Sequence, residues 1–226
     1  MKGVLFDLDG VIADTSIYHF QAWRKLIKDH FSLNLPNELE QQTKGVSRAD
    51  SLKAILNFLN INVSKEQFEQ LAAEKNQTYQ KLLNNLTPKD ILPGIQKLIN
   101  DFKSHDVKLS LASASLNAPL ILEKLDLRQD FDAIANPNEV KLGKPAPDIF
   151  LQAAKEIDVQ PKDCVGIEDS IAGINAINSA GSLSIGVGEK EELNKAKLLF
   201  PTTADLNYSQ IEMAWEQASA KLDNFE

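Results

Sequence analysis

The sequence predicts an α/β protein: a parallel-sheet core with an all-helical unit inserted after its first strand. Three observations predict it. The apolar run Gly3-Val4-Leu5-Phe6, followed by Asp7-Leu8-Asp9-Gly10, reads as a buried strand ending in a turn. Residues 16–86 place their apolar side chains at helical spacing only. From residue 89 onwards strands alternate with helices, which implies parallel pairing because each crossover carries a helix.

The elements follow in order. After the first strand, Phe20, Trp23, Ile27 and Phe31 fall on one helical face from about Ser16, widened by Leu26. A loop with Pro36 comes next. Ser47-Arg48-Ala49-Asp50 reads as a capping box opening a helix striped by Leu52, Ile55, Leu56 and Leu59. Ser64 caps a longer helix with Phe68, Leu71, Ala72, Tyr79 and Leu82 inside. Thr87-Pro88 ends the helical unit. A helix with Ile95, Leu98, Ile99 and Phe102 follows, then a strand over 107–112, a helix over 118–125 and a short strand at Ala133-Ile134. Pro147 suits the first turn of a helix running to Ile157. Residues 164–167 are a strand, 171–180 a helix ending at Gly181, 182–186 a strand, and 208–222 a last helix. The expected organisation is a Rossmann-like catalytic core of residues 1–15 and 87–226, with residues 16–86 as a helical cap. No internal repeat or low-complexity segment interrupts it.

Composition narrows the function. The chain has 226 residues, 43% hydrophobic and 25% charged, as in ordinary soluble globular proteins. Its net charge of −8 argues against nucleic acid as a partner but leaves room for a small phosphorylated substrate. A single cysteine, Cys164, excludes an internal disulfide and fits a reducing compartment and a buried strand. No apolar run approaches the roughly 20 residues that span a bilayer, and no secretory leader is visible. A cytoplasmic monomer without membrane association is expected.

Four strand ends carry chemistry. They are Asp7/Asp9, Ser113-Ala114-Ser115, Lys144 in Gly143-Lys144-Pro145, and Glu168-Asp169. In a parallel sheet the carboxyl ends lie on one edge, so all four can converge. Side chains two apart on an extended chain point the same way, so Asp7 and Asp9 face one space. A hard cation such as Mg²⁺ takes oxygens, and Asp7, Asp169 and the Asp9 carbonyl offer them. Ser113 and the Ala114 N–H can hold phosphoryl oxygens, and Lys144 lowers the cost of two anions meeting. Asp7 can then attack phosphorus while Asp9 serves as acid and base. Each piece alone has a plainer reading: an N-cap, a turn serine, a loop lysine, or helix-dipole charge in Glu168-Asp169. The conjunction, in this order, is the specific signal.

At these residues the chain resembles the haloacid dehalogenase superfamily of phosphotransferases, over its whole length and with a helical cap at the first insertion point. Five stretches narrow the resemblance to that superfamily's hexose-phosphate mutases: 9–15, 18–23, 44–51, 113–117 and 144–150. The resemblance implies Asp7 as the nucleophile and Asp9 as the general acid/base, with Ser113 and Lys144 assisting. It implies Mg²⁺ on Asp7, on Asp9 through its carbonyl, and on Asp169, with Glu168 nearby. Sugar-phosphate binding would fall to His19, Trp23, Lys44, Gly45, Val46, Ser47, Arg48, Ser51 and Lys75 from the cap. Ala114, Ser115 and Asn117 would contribute from the core, and Thr15 would mark the hinge. Leu116 departs from the pattern, because some family members carry lysine there; Arg48 then carries more of the distal phosphate.

The residues support part of this independently. Lys75 lies four after Leu71 and four before Tyr79, so it stands on an apolar stripe, either partnered or snorkelling from the edge. His19, four before Trp23, is on a partly apolar face and could equally be structural. Arg48 lies in the first turn of its helix, where a cation opposes the dipole unless an anion binds there; a surface arginine is the plainer account.

The expected activity is interconversion of β-D-glucose 1-phosphate and glucose 6-phosphate through β-glucose 1,6-bisphosphate and a phosphorylated Asp7. A Mg²⁺-dependent sugar-phosphate phosphatase on the same core is the alternative. A non-catalytic phospho-switch is the third reading, and a helical lid carrying Arg48, His19 and Lys75 has no use in it.

Overall fold

The computed structural model describes residues 1–223. Among them, strands β1 (Gly3–Phe6), β2 (Lys108–Leu111), β3 (Ala133–Ile134), β4 (Cys164–Glu168), β5 (Leu183–Val187) and β6 (Leu198–Phe200) form one parallel sheet. Its order is β3-β2-β1-β4-β5-β6. Strand β1 therefore lies at the centre, and successive strands run outward first on one side and then on the other. The order reverses beside β1, where open α/β sheets form a crevice at their carboxyl edge. Strand β1 is wholly buried, which is why it reads as a continuous apolar run rather than an alternating one.

Helices α5 (Ile95–Ser104), α6 (Ala118–Lys124), α7 (Asp148–Glu156), α8 (Ile171–Ala180) and α9 (Tyr208–Asp223) accompany the sheet. One apolar cluster joins Phe6, Phe102, Leu111, Phe131 and Ile167. A second lies under α7 and α8, around Leu5, Phe150, Cys164 and Ile177. Gly181 ends α8 in the left-handed conformation, as its position in the sequence predicts.

Between β1 and α5 the chain is helical: α1 (Ser16–Phe31), α2 (Glu38–Thr43), α3 (Arg48–Phe58) and α4 (Lys65–Leu83). They enclose their own apolar cluster, including Phe20, Trp23, Ile27, Leu52, Ile55 and Leu71. Tyr79 and Leu83 of α4 and Ala22 of α1 belong instead to the main core cluster, so the helical unit shares an apolar seam with the sheet. Ser64 and Gln67 form a reciprocal capping box at α4. At α3 the expected box is half formed. Ser47 Oγ accepts from the Asp50 N–H, and its hydroxyl donates to the Asp50 carboxylate instead of the carboxylate taking the Ser47 N–H.

Two elements were not legible. Helix α2 is six residues long, too short for a stripe; among its described side chains Leu39 is the one that is buried. Strand β6 has three residues at the sheet edge, too few for alternation to show. Pro147 precedes α7 rather than occupying its first turn, and β5 begins one residue later than expected.

Candidate active site

The register of β1 brings the core residues together. Phe6 pairs with Leu111 on one side and Ile167 on the other. The next residues, Asp7, Ala112 and Glu168, thus leave the sheet side by side at its carboxyl edge. Lys144, on the loop before α7, enters between the carboxylates: its Nζ is 2.6 Å from Asp7 Oδ1 and 2.8 Å from Glu168 Oε2. The ammonium lies 4.9 Å from the Phe150 ring centre and is wholly buried. Burial alone would lower its pKa; Asp7 and Glu168 outweigh that and raise it. The Asp7 carboxyl is pushed up by burial and by Glu168, with Lys144 opposing.

Glu168 Oε1 accepts from the Asp169 N–H, the Ser170 N–H and the Ser170 hydroxyl. Both Glu168 oxygens are therefore committed to its own loop and to Lys144. Asp169 remains open toward the site and meets Lys44 of the helical unit at 2.7 Å. Gly10 makes this approach possible. It sits at φ +80°, and a Cβ there would fall 1.6 Å from Asp169 Oδ2.

Asp9 is held from the other side. Beyond β1 the chain turns at once, with the Gly10 N–H donating to the Ala13 carbonyl. Thr15, fully buried just before α1, donates its hydroxyl to Asp9 Oδ1. His19 Nε2 is 3.9 Å from Asp9 Oδ2, and Lys75 Nζ contacts His19 Nδ1. With Lys75 donating to Nδ1, the ring proton sits on Nε2 and faces Asp9. Burial, Lys75 and Arg48 depress the His19 pKa well below the usual range, so the imidazole is neutral at pH 7. Burial raises the Asp9 pKa, with the Thr15 hydrogen bond opposing.

Lys75 does not snorkel. It is 1% exposed, with its ammonium 4.8 Å from the Trp23 ring centre and 4.7 Å from that of Tyr79. Burial and Arg48 lower its pKa to about 7. Tyr79, read from the sequence only as core, stacks on His19 at 3.8 Å and belongs to this group.

A cavity of about 380 Å³ lies between the two halves. Asp7, Asp9, Ser113, Ala114 and Ser115 line it from the core, and His19, Trp23, Lys44, Gly45, Val46, Ser47, Arg48, Ser51 and Lys75 from the helical unit. Lys144, Glu168 and Asp169 support its floor through Asp7 and Lys44. Asn117 lies off the wall, with its amide engaged by Asn76 and Gln80 of α4. Leu116, 48% exposed, is on the wall; so are Phe20, Glu40, Thr43 and Asn138, which sequence reasoning did not assign to the site. Phe20 was legible as a stripe residue; Glu40 and Thr43 sit on the short α2, which gave no signal. Arg48 has neither an ion pair nor a hydrogen bond among the described residues.

Residues 1–181 match the haloacid dehalogenase-like hydrolase family. The chain belongs to that family. It is 44% identical over 219 residues to a β-phosphoglucomutase of Bacillus subtilis, covering 96% of each chain. It is 31% identical over 207 residues to a phosphorylated carbohydrates phosphatase of Thermotoga maritima, covering 90% of this chain and 92% of the relative. The crystal structure of a β-phosphoglucomutase from Clostridium difficile superimposes with a TM-score of 0.95 at 42% identity, over 97% of this chain and 99% of that one.

This haloacid dehalogenase-like chain carries an acidic cluster suited to a divalent cation. Carboxylate oxygens of Asp7, Glu168 and Asp169 lie within 4.8 Å of one another. The donors are all oxygens, as a hard cation requires. The three carboxylates Asp7, Glu168 and Asp169 face two ammonium groups, Lys44 and Lys144, which leaves an excess of negative charge that a divalent cation would offset. The strain of the uncompensated set shows at Asp169, whose pKa burial and Glu168 push up to about 7. The Asp9 carboxylate is not part of that cluster.

Proposed function

We propose that the chain is a β-phosphoglucomutase, a Mg²⁺-dependent phosphomutase that interconverts β-D-glucose 1-phosphate and glucose 6-phosphate. The observation that carries this is 44% identity to the Bacillus subtilis enzyme over 96% of both chains. The site's layout supplies the mechanism, with residues 16–86 as the cap over a core of 1–15 and 87–226.

Asp7 is the nucleophile. Lys144 fixes its Oδ1 and offsets the negative charge of the approaching phosphoryl group. Ser113, buried beside Asp7 at the next strand end, and the Ala114 N–H hold phosphoryl oxygens. Asp7, Asp169 and the Asp9 carbonyl would hold Mg²⁺, which would supply Lewis-acid neutralisation of phosphoryl charge. Glu168 completes the acidic cluster and, through its hydrogen bonds to Lys144 and Ser170, orients the loop that carries Asp169.

Asp9 moves the proton. Burial favours its protonated form, so it can give a proton to the leaving sugar oxygen as Asp7 becomes phosphorylated. The resulting carboxylate later removes a proton from the sugar hydroxyl that attacks the phosphorylated Asp7. Thr15, at the hinge, and His19, steered by Lys75, aim Asp9 from the cap, so closure of the cap and alignment of the acid are one event. Arg48, Ser47 and Ser51 receive the phosphate that is not being transferred, with Ser115 on the core side; Asn117, expected there from the sequence, is instead engaged by α4. Lys44, Gly45 and Val46 close over the sugar against Trp23. β-Glucose 1,6-bisphosphate is the intermediate, and it turns over between the Asp7 end and the Arg48 end.

One assay tests this. With β-glucose 1-phosphate, Mg²⁺ and a trace of the bisphosphate, glucose 6-phosphate is the expected main product. Release of mainly free phosphate would assign the chain to the phosphatases represented by its Thermotoga maritima relative.

A further inference from the structure

The cap meets the core at a second seam, away from the Lys44–Asp169 bridge, and there the contact is made of neutral amides. Asn117 stands at the start of α6, next to pocket-lining Leu116, and is 6% exposed. Its Oδ1 accepts from Gln80 Nε2 at 2.9 Å, and its Nδ2 donates to Asn76 Oδ1 at 2.9 Å. Both partners are on α4, four residues apart, so they present one helical face. That same turn carries Tyr79, which stacks on His19, and Lys75, whose Nζ contacts His19 Nδ1; His19 in turn faces Asp9. The docking of α4 at Asn117 therefore fixes where the Lys75–His19 pair stands above the acid.

We propose that Gln80, together with Asn76, is a positioning residue for closure. The amide chain Asn76–Asn117–Gln80 holds α4 on the core and so sets how much of the phosphoryl group on Asp7 is lost to water. The proposal rests on the mutase reading above. A mutase keeps water from its phosphorylated aspartate, yet it opens to let the bisphosphate turn over. Neutral amides suit that requirement. Each terminal amide is both donor and acceptor, so the chain forms without stranding a charge and breaks without the cost of separating a buried ion pair.

The test compares free phosphate with glucose 6-phosphate formed from β-glucose 1-phosphate, Mg²⁺ and trace bisphosphate. Gln80→Leu should raise that ratio about threefold to tenfold, the change that one or two hydrogen bonds carry. Gln77→Leu, on an exposed position of the same helix, should leave it unchanged. Gln80→Glu keeps an acceptor, and the two asparagine amides can rotate to donate along the chain toward it, so this variant should retain the wild-type ratio. Hydrogen exchange without substrate gives a second readout: residues 113–118 should exchange faster in Gln80→Leu. An unchanged ratio with unchanged exchange in Gln80→Leu overturns the proposal. A wild type that releases only phosphate overturns the mutase reading instead. In that case the exchange decides alone, faster exchange supporting the latch and unchanged exchange overturning it.

Discussion

The core and the cap each bury a lysine, and they treat it in opposite ways. Lys144 sits between two carboxylates, Asp7 and Glu168, and its pKa is raised despite burial. Lys75 has a neutral imidazole and two aromatic rings around it, and its pKa falls to about 7. The core has completed its own charge pairing around Asp7. The cap has not, and Arg48 repeats the pattern, half-buried without a carboxylate. In the proposed function, unpaired cations facing one cavity are the binding surface that the substrate's phosphate completes. Paired ions at a strand end are machinery held in place before the substrate arrives.

The largest effect should come from the core. Asp7→Asn removes the proposed nucleophile while keeping the side chain's size, and turnover should fall by at least about 10,000-fold. Protein mass after incubation with the bisphosphate should show no phosphorylation. Turnover within tenfold of wild type would remove Asp7 from its role.

The two lysines then offer a contrast of sign. Lys144→Met leaves Asp7 and Glu168 buried without their cation and should cost about 3–5 kcal/mol in urea unfolding at pH 7.5. Lys75→Met removes a buried ammonium that has no anionic partner and fills its space among Trp23 and Tyr79 with an apolar chain. Stability should hold or rise, while turnover falls because His19 loses its donor. Two variants destabilised alike would break the comparison, since it requires Lys75 to be costly to the fold.

Arg48→Ala should act on binding more than on chemistry. Losing a charged hydrogen bond to phosphate costs about 1.5–3 kcal/mol, so KM should rise roughly tenfold or more with the phosphoryl step little changed. Leu116, apolar where a second cation could stand, gives nothing to compensate. Equal losses in kcat and kcat/KM would place Arg48 with the transferring phosphate.

The contrast between the halves also explains what the sequence could reveal. In the core, chemistry sits where strands end, and strand ends are legible from apolar runs: Asp7, Ser113 and Glu168 were placed by counting. Lys144 was legible only as part of that set, since a loop lysine before proline says nothing about burial. In the cap, Lys75 was legible because it interrupts the stripe between Leu71 and Tyr79. Glu40, Thr43 and Asn138 were not, because one short helix and one loop carry them without periodicity. Asn76 and Gln80 lie on α4 among polar residues of its solvent-facing pattern, and only the tertiary approach of Asn117 separates them from their neighbours.

The smallest effect concerns a proton. Lys75 has a pKa of about 7 in the folded chain against an ordinary 10.5, because folding buries its charge. The unfolded chain therefore binds more protons between these values, and unfolding free energy should rise with pH from about 7 to about 10.5. Lys144 acts in the other direction: its raised pKa contributes stability that is full below the ordinary lysine range and is lost as the pH climbs beyond it. Ligand binding exposes the difference. At pH 8 the ammonium of Lys75 is mostly deprotonated, and a bound phosphate favours its charged form, so binding should take up a fraction of one proton. At pH 6 Lys75 is already charged and uptake through it should vanish. Titration calorimetry in two buffers of different ionisation enthalpy measures this directly, and Lys75→Met should abolish the pH 8 uptake. Uptake that survives in that variant would move the proton to another group and leave Lys75 a structural residue of the cap.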